Sequence, residues 1–182
     1  MSNNVNVIEK YKYVLDKKGI DLILLEKSEK DIERLEQLFI QLDSIFLIPQ
    51  QQNMPLKIYV EKLINQAFNF VLVESNCDIG LISIYANDFV SKTSFVNAIG
   101  ILTSHQGKQL ASITSEFIIE YSKGVGMEYM KAHINKANYK SLSLVKKFGF
   151  KVLSEETDKF IVIKDLKEID LHSSVRSESH HV

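Results

Sequence analysis

Apolar residues recur along this chain at two alternating spacings, one helical and one strand-like, and the order in which they alternate outlines a fold. From Val5 to Lys18, Val5, Ile8, Tyr11 or Tyr13, and Leu15 fall at helical intervals, and Gly19 supplies a stop. Asp21 to Lys27 holds the run Leu22-Ile23-Leu24-Leu25, which predicts a strand buried on both faces. Ser28 then stands as a helix cap, with Asp31 three positions on, ahead of the amphipathic series Ile32, Leu35, Leu38, Phe39 and Leu42. The periodicity lapses from Asp43 to Pro55, and Tyr59, Val60, Leu63 and Ile64 restore a helix. Phe68 to Glu74 and Ile79 to Tyr85 are two strands joined through Ser75-Asn76-Cys77-Asp78, a turn by composition. Ser94 to Thr103 is a third strand, and Leu110, Ile113, Phe117 and Tyr121 share a helical face that ends at Gly124 and Gly126. A strand at Tyr129 to Ile134, a helix at Asn138 to Phe148 stopped by Gly149, and strands at Phe150 to Leu153 and Phe160 to Leu166 complete the body.

This order predicts a single mixed α/β sheet of about six or seven strands with helices on both faces, antiparallel hairpins dominating the early strands. The expected organisation is a helical arm at 1–19, one domain at 20–166, and a polar tail at 167–182. Such an arm can cover its own domain or pair with a second copy as a homodimer, and the sequence leaves both open.

Composition narrows the function classes. The chain has 182 residues, 45% hydrophobic and 25% charged, which suits one soluble core. Its net charge is −1, and Arg34 and Arg176 are its only arginines, so a nucleic-acid partner is not expected. No apolar run approaches the roughly 20 residues of a membrane helix, and the N-terminus lacks a secretory pattern. With a lone cysteine, Cys77, these features point to a cytoplasmic protein without disulfides. Acidic neighbours would raise a thiol pKa, so Cys77 reads as a turn residue rather than a nucleophile. His180 and His181 lack the spaced companions of a zinc site, and no metal is expected.

The segment that carries chemistry is Ile99 to Ala111, where a β-rich run enters a helix through a short loop. Amides at a helix start have no intrahelical acceptor and lie at the positive end of the macrodipole. Gly107 and Ala111 leave room for phosphate oxygens, and Gln106 and Lys108 add side-chain donors. Neither G-x-G-x-x-G nor G-x-x-x-x-G-K-[ST] occurs, so dinucleotide and P-loop readings lose support. A second element follows at Asn138-Tyr139-Lys140-Ser141, running to Gly149-Phe150.

Together these two segments resemble the GNAT superfamily of acyl-CoA-dependent N-acetyltransferases. Gln106-Gly107-Lys108-Gln109-Leu110-Ala111 is similar to that family's Q/R-x-x-G-x-G/A loop, with Gln109 where the fourth position is usually glycine. Asn138-x-x-Ser141 and Gly149-Phe150 are similar to its N-x-x-S/A helix ending in G-F. The resemblance implies acetyl-CoA as cosubstrate. It implies that the pantetheine arm lies along Ile101, Leu102 and Thr103. The loop amides of Gln106, Gly107, Lys108, Gln109, Leu110, Ala111 and Ser112 would hold the pyrophosphate. Asn138 would lie near the thioester, and Lys147 would meet the ribose phosphate.

Many members of the family carry a tyrosine acid seven residues after the motif Asn, where this chain has Val145. Ser141 takes the position at which ribosomal-protein and related N-terminal acetyltransferases carry a serine, so Ser141 is the expected proton donor to the thiolate, with Tyr139 an alternative. No base stands out: the third strand has no carboxylate, and Glu74, Tyr85 and His105 are only neighbours. Acceptor choice is expected to reside in Asp43 to Pro55 and in Asn87 to Thr93, which suit a small polar amine such as an amino sugar at least as well as a peptide. A peptide or protein N-terminal amine, and a non-catalytic acyl-CoA-binding module of the same fold, are the alternatives.

Overall fold

The computed structural model describes residues 2–43 and 54–168, with side chains from residue 4 onward. Its elements are α1 (Ser2–Asp16), β1 (Ile20–Leu24), α2 (Glu29–Leu42), α3 (Leu56–Gln66), β2 (Phe68–Glu74), β3 (Cys77–Tyr85), β4 (Thr93–Ile101), α4 (Leu110–Gly124), β5 (Tyr129–Asn135), α5 (Tyr139–Lys147), β6 (Lys151–Glu155) and β7 (Lys159–Asp165). One seven-stranded sheet runs in the order β1-β2-β3-β4-β5-β7-β6. Every neighbouring pair is antiparallel except β4 with β5. That parallel pair is the place where the chain crosses over through α4 rather than through a hairpin.

Alternation along the strands divides the interior into two cores, one on each face of the sheet. On one face Tyr11 and Leu15 of α1 and Leu110, Phe117 and Tyr121 of α4 pack on Phe70, Ile82 and Met130. On the other, Leu35, Leu38 and Leu42 of α2 and Val60 and Leu63 of α3 pack on Val71, Leu81 and Ala98. Edge-to-face rings tie α4 to the sheet, with Phe70 and Phe117 centroids 4.8 Å apart. α1 is drawn into its own domain's core by the buried Tyr11, whose hydroxyl donates to Glu120 at 3.0 Å.

Local sequence signals account for most element ends. Ser28 caps α2, its side chain accepting from the Asp31 amide at 3.1 Å. Ser75 and Asn76 both have positive φ, the requirement of a two-residue hairpin turn of the mirror-image type. Two expectations are corrected. Cys77 is not in that turn but is the exposed first residue of β3, paired with Glu74. β1 is not buried on both faces: it is an edge strand, and although Ile20 and Leu22 are buried, Ile23 and Leu24 are exposed. An apolar run alone does not reveal whether a strand lies at the centre or the edge of a sheet. His180 and His181, and residues 44–53 of the expected acceptor segment, lie outside the described residues.

Candidate active site

The site begins where β4 and β5 part. Their parallel register runs Thr93 opposite Tyr129 through Val96 opposite Ala132 and stops there. Beyond it β4 continues to Ile101 paired only with β3, and β5 continues to Asn135 paired only with β7. The inner edges of Asn97–Ile101 and His133–Asn135 therefore face a wedge with no strand in it, where backbone donors and acceptors stand ready for an extended ligand.

At the mouth of the wedge β4 carries a bulge. Ser83 is opposite Ala98 and Ile84 opposite Val96, which leaves Asn97 without a partner on β3. A bulge re-aims side chains. Here Asn97 is turned onto the α2/α3 face, where its amide nitrogen lies 2.9 Å from the Tyr59 hydroxyl and its oxygen 3.1 Å from the same atom. Ser83 lies 3.5 Å from the Asn97 amide nitrogen. Burial pushes the Tyr59 phenol up in pKa against the opposing hydrogen bond from Asn97, and burial also raises Tyr85. This polar cluster is uncharged at neutral pH.

The upper end of the wedge is closed by the loop that enters α4. Thr103–His105 forms one 3-10 turn, Gly107 has φ +95° and Gln109 has φ 61°, ψ 12°, in the left-handed region. The amides of Ser112 and Ile113 both return to the Gln109 carbonyl at 3.0 Å. Those of Leu110 and Ala111 precede any helical acceptor, so they point out of the helix start. Backbone of this kind, with left-handed residues before a helix N-terminus, forms a concavity lined by N–H groups that suits an anion.

The side chains expected around that concavity mostly brace it. The Gln106 amide donates to the Ile101 carbonyl at 3.0 Å, stapling the loop to the end of β4. The Leu102 amide donates to Ile79, and its carbonyl accepts from His105, both at 2.8 Å, while Thr103 accepts from the Gln106 amide at 3.3 Å. Lys108 and His105 both meet Glu74, at 2.5 and 3.3 Å. That pairing, the Lys108 hydrogen bond above all, holds the Glu74 carboxyl below its ordinary pKa, which makes Glu74 a poor base.

The second motif sits on α5. Asn138 is its N-cap, accepting from the Ser141 amide at 3.0 Å. Ser141 is half-buried, whereas Tyr139 is 75% exposed. Lys147, at the far end of α5, donates to Ser112 in the first turn of α4 at 3.2 Å, so the two motif segments meet. No residue of α5 is fully buried.

A sequence model described as the Acetyltransferase (GNAT) family matches residues 33–150, well over half of the chain. The chain belongs to the GNAT acetyltransferase family. Solved structures support the same fold. Spermidine N-acetyltransferase from Vibrio cholerae, in complex with CoA and spermine, superposes with a TM-score of 0.65 at 18% identity, over 82% of this chain and 96% of that one. The PaiA N-acetyltransferase from Thermoplasma acidophilum, in complex with coenzyme A, gives 0.63 at 16% identity, over 80% and 98%. The ribosomal-protein-S18-alanine N-acetyltransferase from Escherichia coli gives 0.64 at 12% identity, over 84% and 97%. No curated protein matches by sequence. The GNAT resemblance and the mixed sheet read from the sequence are borne out. Sequence reasoning missed Asn97 and Tyr59; a lone amide in the apolar run Phe95-Val96-Asn97-Ala98-Ile99 was the available signal.

Proposed function

We propose that this GNAT protein transfers the acetyl group of acetyl-CoA to the primary amine of a small polar metabolite, an amino sugar or a similar compound. The observation that carries the reading is the wedge between β4 and β5 capped by the Gly107 turn: an extended amide-bearing arm fits the first, and a diphosphate the second. In this reading Ile101, Leu102 and Thr103 border the arm. The amides from Gln106 to Ser112 hold the diphosphate, and Lys147 supplies a cation beside Ser112. Asn138 orients the start of α5 near the thioester, and Ser141 returns a proton to the departing thiolate. Tyr139 is the weaker candidate, since it is largely exposed.

For the acceptor, the polar groups near the wedge mouth on the α2/α3 face include the neutral Tyr59, Asn97 and Tyr85, which offer hydroxyls and one amide, with the buried Ser83 behind Asn97. A polycationic amine would be better served by carboxylates, and a hydroxylated amine by these groups. A peptide or protein N-terminal amine is the alternative acceptor. A cytoplasmic setting accords with the lone Cys77 and with the absence, among the described residues, of any helix long and apolar enough to cross a membrane. The non-catalytic reading rests on Val145 in place of the family's tyrosine, but a thiolate of pKa near about 8.5 leaves with little assistance.

Calorimetry with acetyl-CoA, followed by thiol release against a panel of primary amines, tests the proposal. Binding with release for hydroxylated amines is the expected result. Absence of binding would overturn the transferase reading, and binding without release for any amine would favour the module.

A further inference from the structure

The α1/α4 face of the sheet and the α2/α3 face have different duties if the transferase reading holds, and the inference here rests on that reading. The anion-binding turn opens α4, whose Leu110, Ile113 and Phe117 belong to the α1/α4 core. The coenzyme therefore arrives from that side, and the amine must reach the thioester from the other. On that other face α2 and α3 pack over β2 and β3. The surface of β4, β5 and β7 beside them includes an exposed histidine.

That residue is His133. It is the first β5 residue past the last β4–β5 pair, as Asn97 is the first on β4, so the two flank the mouth of the wedge. Its face is fixed by Phe95, whose ring meets the imidazole edge-on at 4.9 Å, and Phe95 pairs with Tyr85 of the α2/α3 core. Asn97 is turned to the same face by the bulge and held there by Tyr59. An amide and an imidazole thus stand on adjacent strands where those strands part, both on the amine's side of the wedge.

We propose that His133 is the proton acceptor of the reaction, taking the amine's proton as nitrogen attacks the thioester, while Asn97 and Tyr59 orient the amine. The neutral amine's lone pair forms the C–N bond, and the nitrogen, now bonded to the former carbonyl carbon, becomes a far stronger acid than a free ammonium. Its proton passes to an imidazole nitrogen. The C–S bond breaks with its electron pair on sulfur, the thiolate takes a proton from solvent, directly or relayed through the Ser141 hydroxyl, which regains a proton from water as it gives one, and the imidazolium returns its proton to water. His133 is suited to this step because it is neutral at pH 7. Desolvation lowers its pKa below 6.5, Lys159 lowers it further, and Glu156 pulls weakly the other way. Lys131 stands two residues back on the same face of β5, and Tyr59 and Tyr85 belong to the α2/α3 core on that side of the sheet. Ile161 pairs with it on β7.

Two measurements on the full chain test this. In the first, ring signals of labelled histidines are followed by NMR, His133 being assigned with the His133→Gln variant. The expected result is a titration midpoint below 6.5 and a displaced signal when acetyl-CoA is added; an ordinary midpoint, or a signal unmoved by bound acetyl-CoA, overturns the proposal without touching the transferase reading. In the second, thiol release with the best amine of the panel is followed against pH. His133→Gln should lower kcat/KM about 100-fold at unchanged acetyl-CoA affinity. For the wild type, log kcat/KM should steepen below pH 6.5 from a slope of about one, due to the amine alone, to about two, and the variant should keep the shallower slope. Added imidazole should restore part of the rate to His133→Ala. A variant as fast as wild type, or one whose loss lies wholly in acetyl-CoA affinity, removes His133 from the reaction. Failure of acetyl-CoA to bind the wild type would instead sink the transferase reading beneath it.

Discussion

Replacing Gln109 with glycine should stabilise this protein, because the backbone there already has a conformation that glycine prefers. Gln109 stands at φ 61°, ψ 12°, and its exposed side chain makes no capping bond to α4. A non-glycine residue in the left-handed region carries about 1–2 kcal/mol of steric strain. Glycine removes that strain but frees the unfolded chain, which returns about 0.5–1 kcal/mol. The net is a gain of about 0.5–1 kcal/mol, or about 1–4 °C in Tm for a chain of this size. Gln109→Ala is the control, since alanine keeps the Cβ and the strain and should show no gain. Urea denaturation of the three proteins measures the differences. Acetyl-CoA affinity of Gln109→Gly should stay within about threefold of wild type, because the Ser112 and Ile113 amides still close on the same carbonyl. A destabilised Gln109→Gly, or equal gains for glycine and alanine, would refute the argument that strain is stored at this position.

Other substitutions separate the remaining roles. Gly107→Ala meets no neighbouring atom within 4 Å but forces a side chain onto φ +95°, so it should cost about 1–3 kcal/mol and weaken acetyl-CoA binding, both read in one calorimetric series. Ser141→Ala should reduce kcat about 100-fold at saturating acetyl-CoA with its affinity unchanged, and an unaltered rate would clear Ser141. Glu74→Gln removes a negative charge beside the Gly107 loop and frees Lys108, so acetyl-CoA should bind several-fold tighter at low salt, with the gain shrinking as salt is added. Because the folded Glu74 carboxyl has a lowered pKa, its pairing supports the loop above the ordinary carboxylate range and is lost as pH falls through that lowered value. The wild-type loop should therefore loosen in acid more than that of Glu74→Gln, as hydrogen exchange at Gly107 would report.

Local signals made much of this molecule legible from its sequence. The Ser28 and Asn138 caps, the Gly19 and Gly149 stops and the turn between β2 and β3 depend on residues a few positions apart. The Gly107 loop was legible for the same reason, as a strand meeting a helix across a turn. What could not be read was the point at which β4 and β5 separate. That register joins segments on either side of a 15-residue helix, and packing of α4 rather than any local pattern sets it. Hidden with it were the bulge at Asn97, the Tyr59 hydrogen bonds and the placement of His133, all consequences of pairing between distant strands. Glu74 shows the limit from the other direction: its strand was legible, but its partners, Lys108 and His105, follow from how β2 ends beside the loop.

On the proposed reading, the division of the sheet into two faces lets a chain without a carboxylate on β4 and without the family's motif tyrosine draw its acid and its base from separate sides. Ser141 belongs to α5, which leads to Phe148 and Phe150 on the α1/α4 core, so a donor there approaches from the coenzyme's side. His133 and Asn97 face the opposite core's side, where the proposed reading has the amine enter. A single residue cannot serve both sides of a sheet, because successive side chains on a strand alternate between them. Ser141→Ala and His133→Gln should therefore act on different steps. The first should slow thiolate departure and be rescued by thioesters with a more acidic thiol, such as an aryl thioester of the same acyl group. The second should be indifferent to the thiol and respond to the basicity of the amine. If both variants respond to the leaving group alike, the two groups share one step, and the assignment of one face to each substrate is wrong.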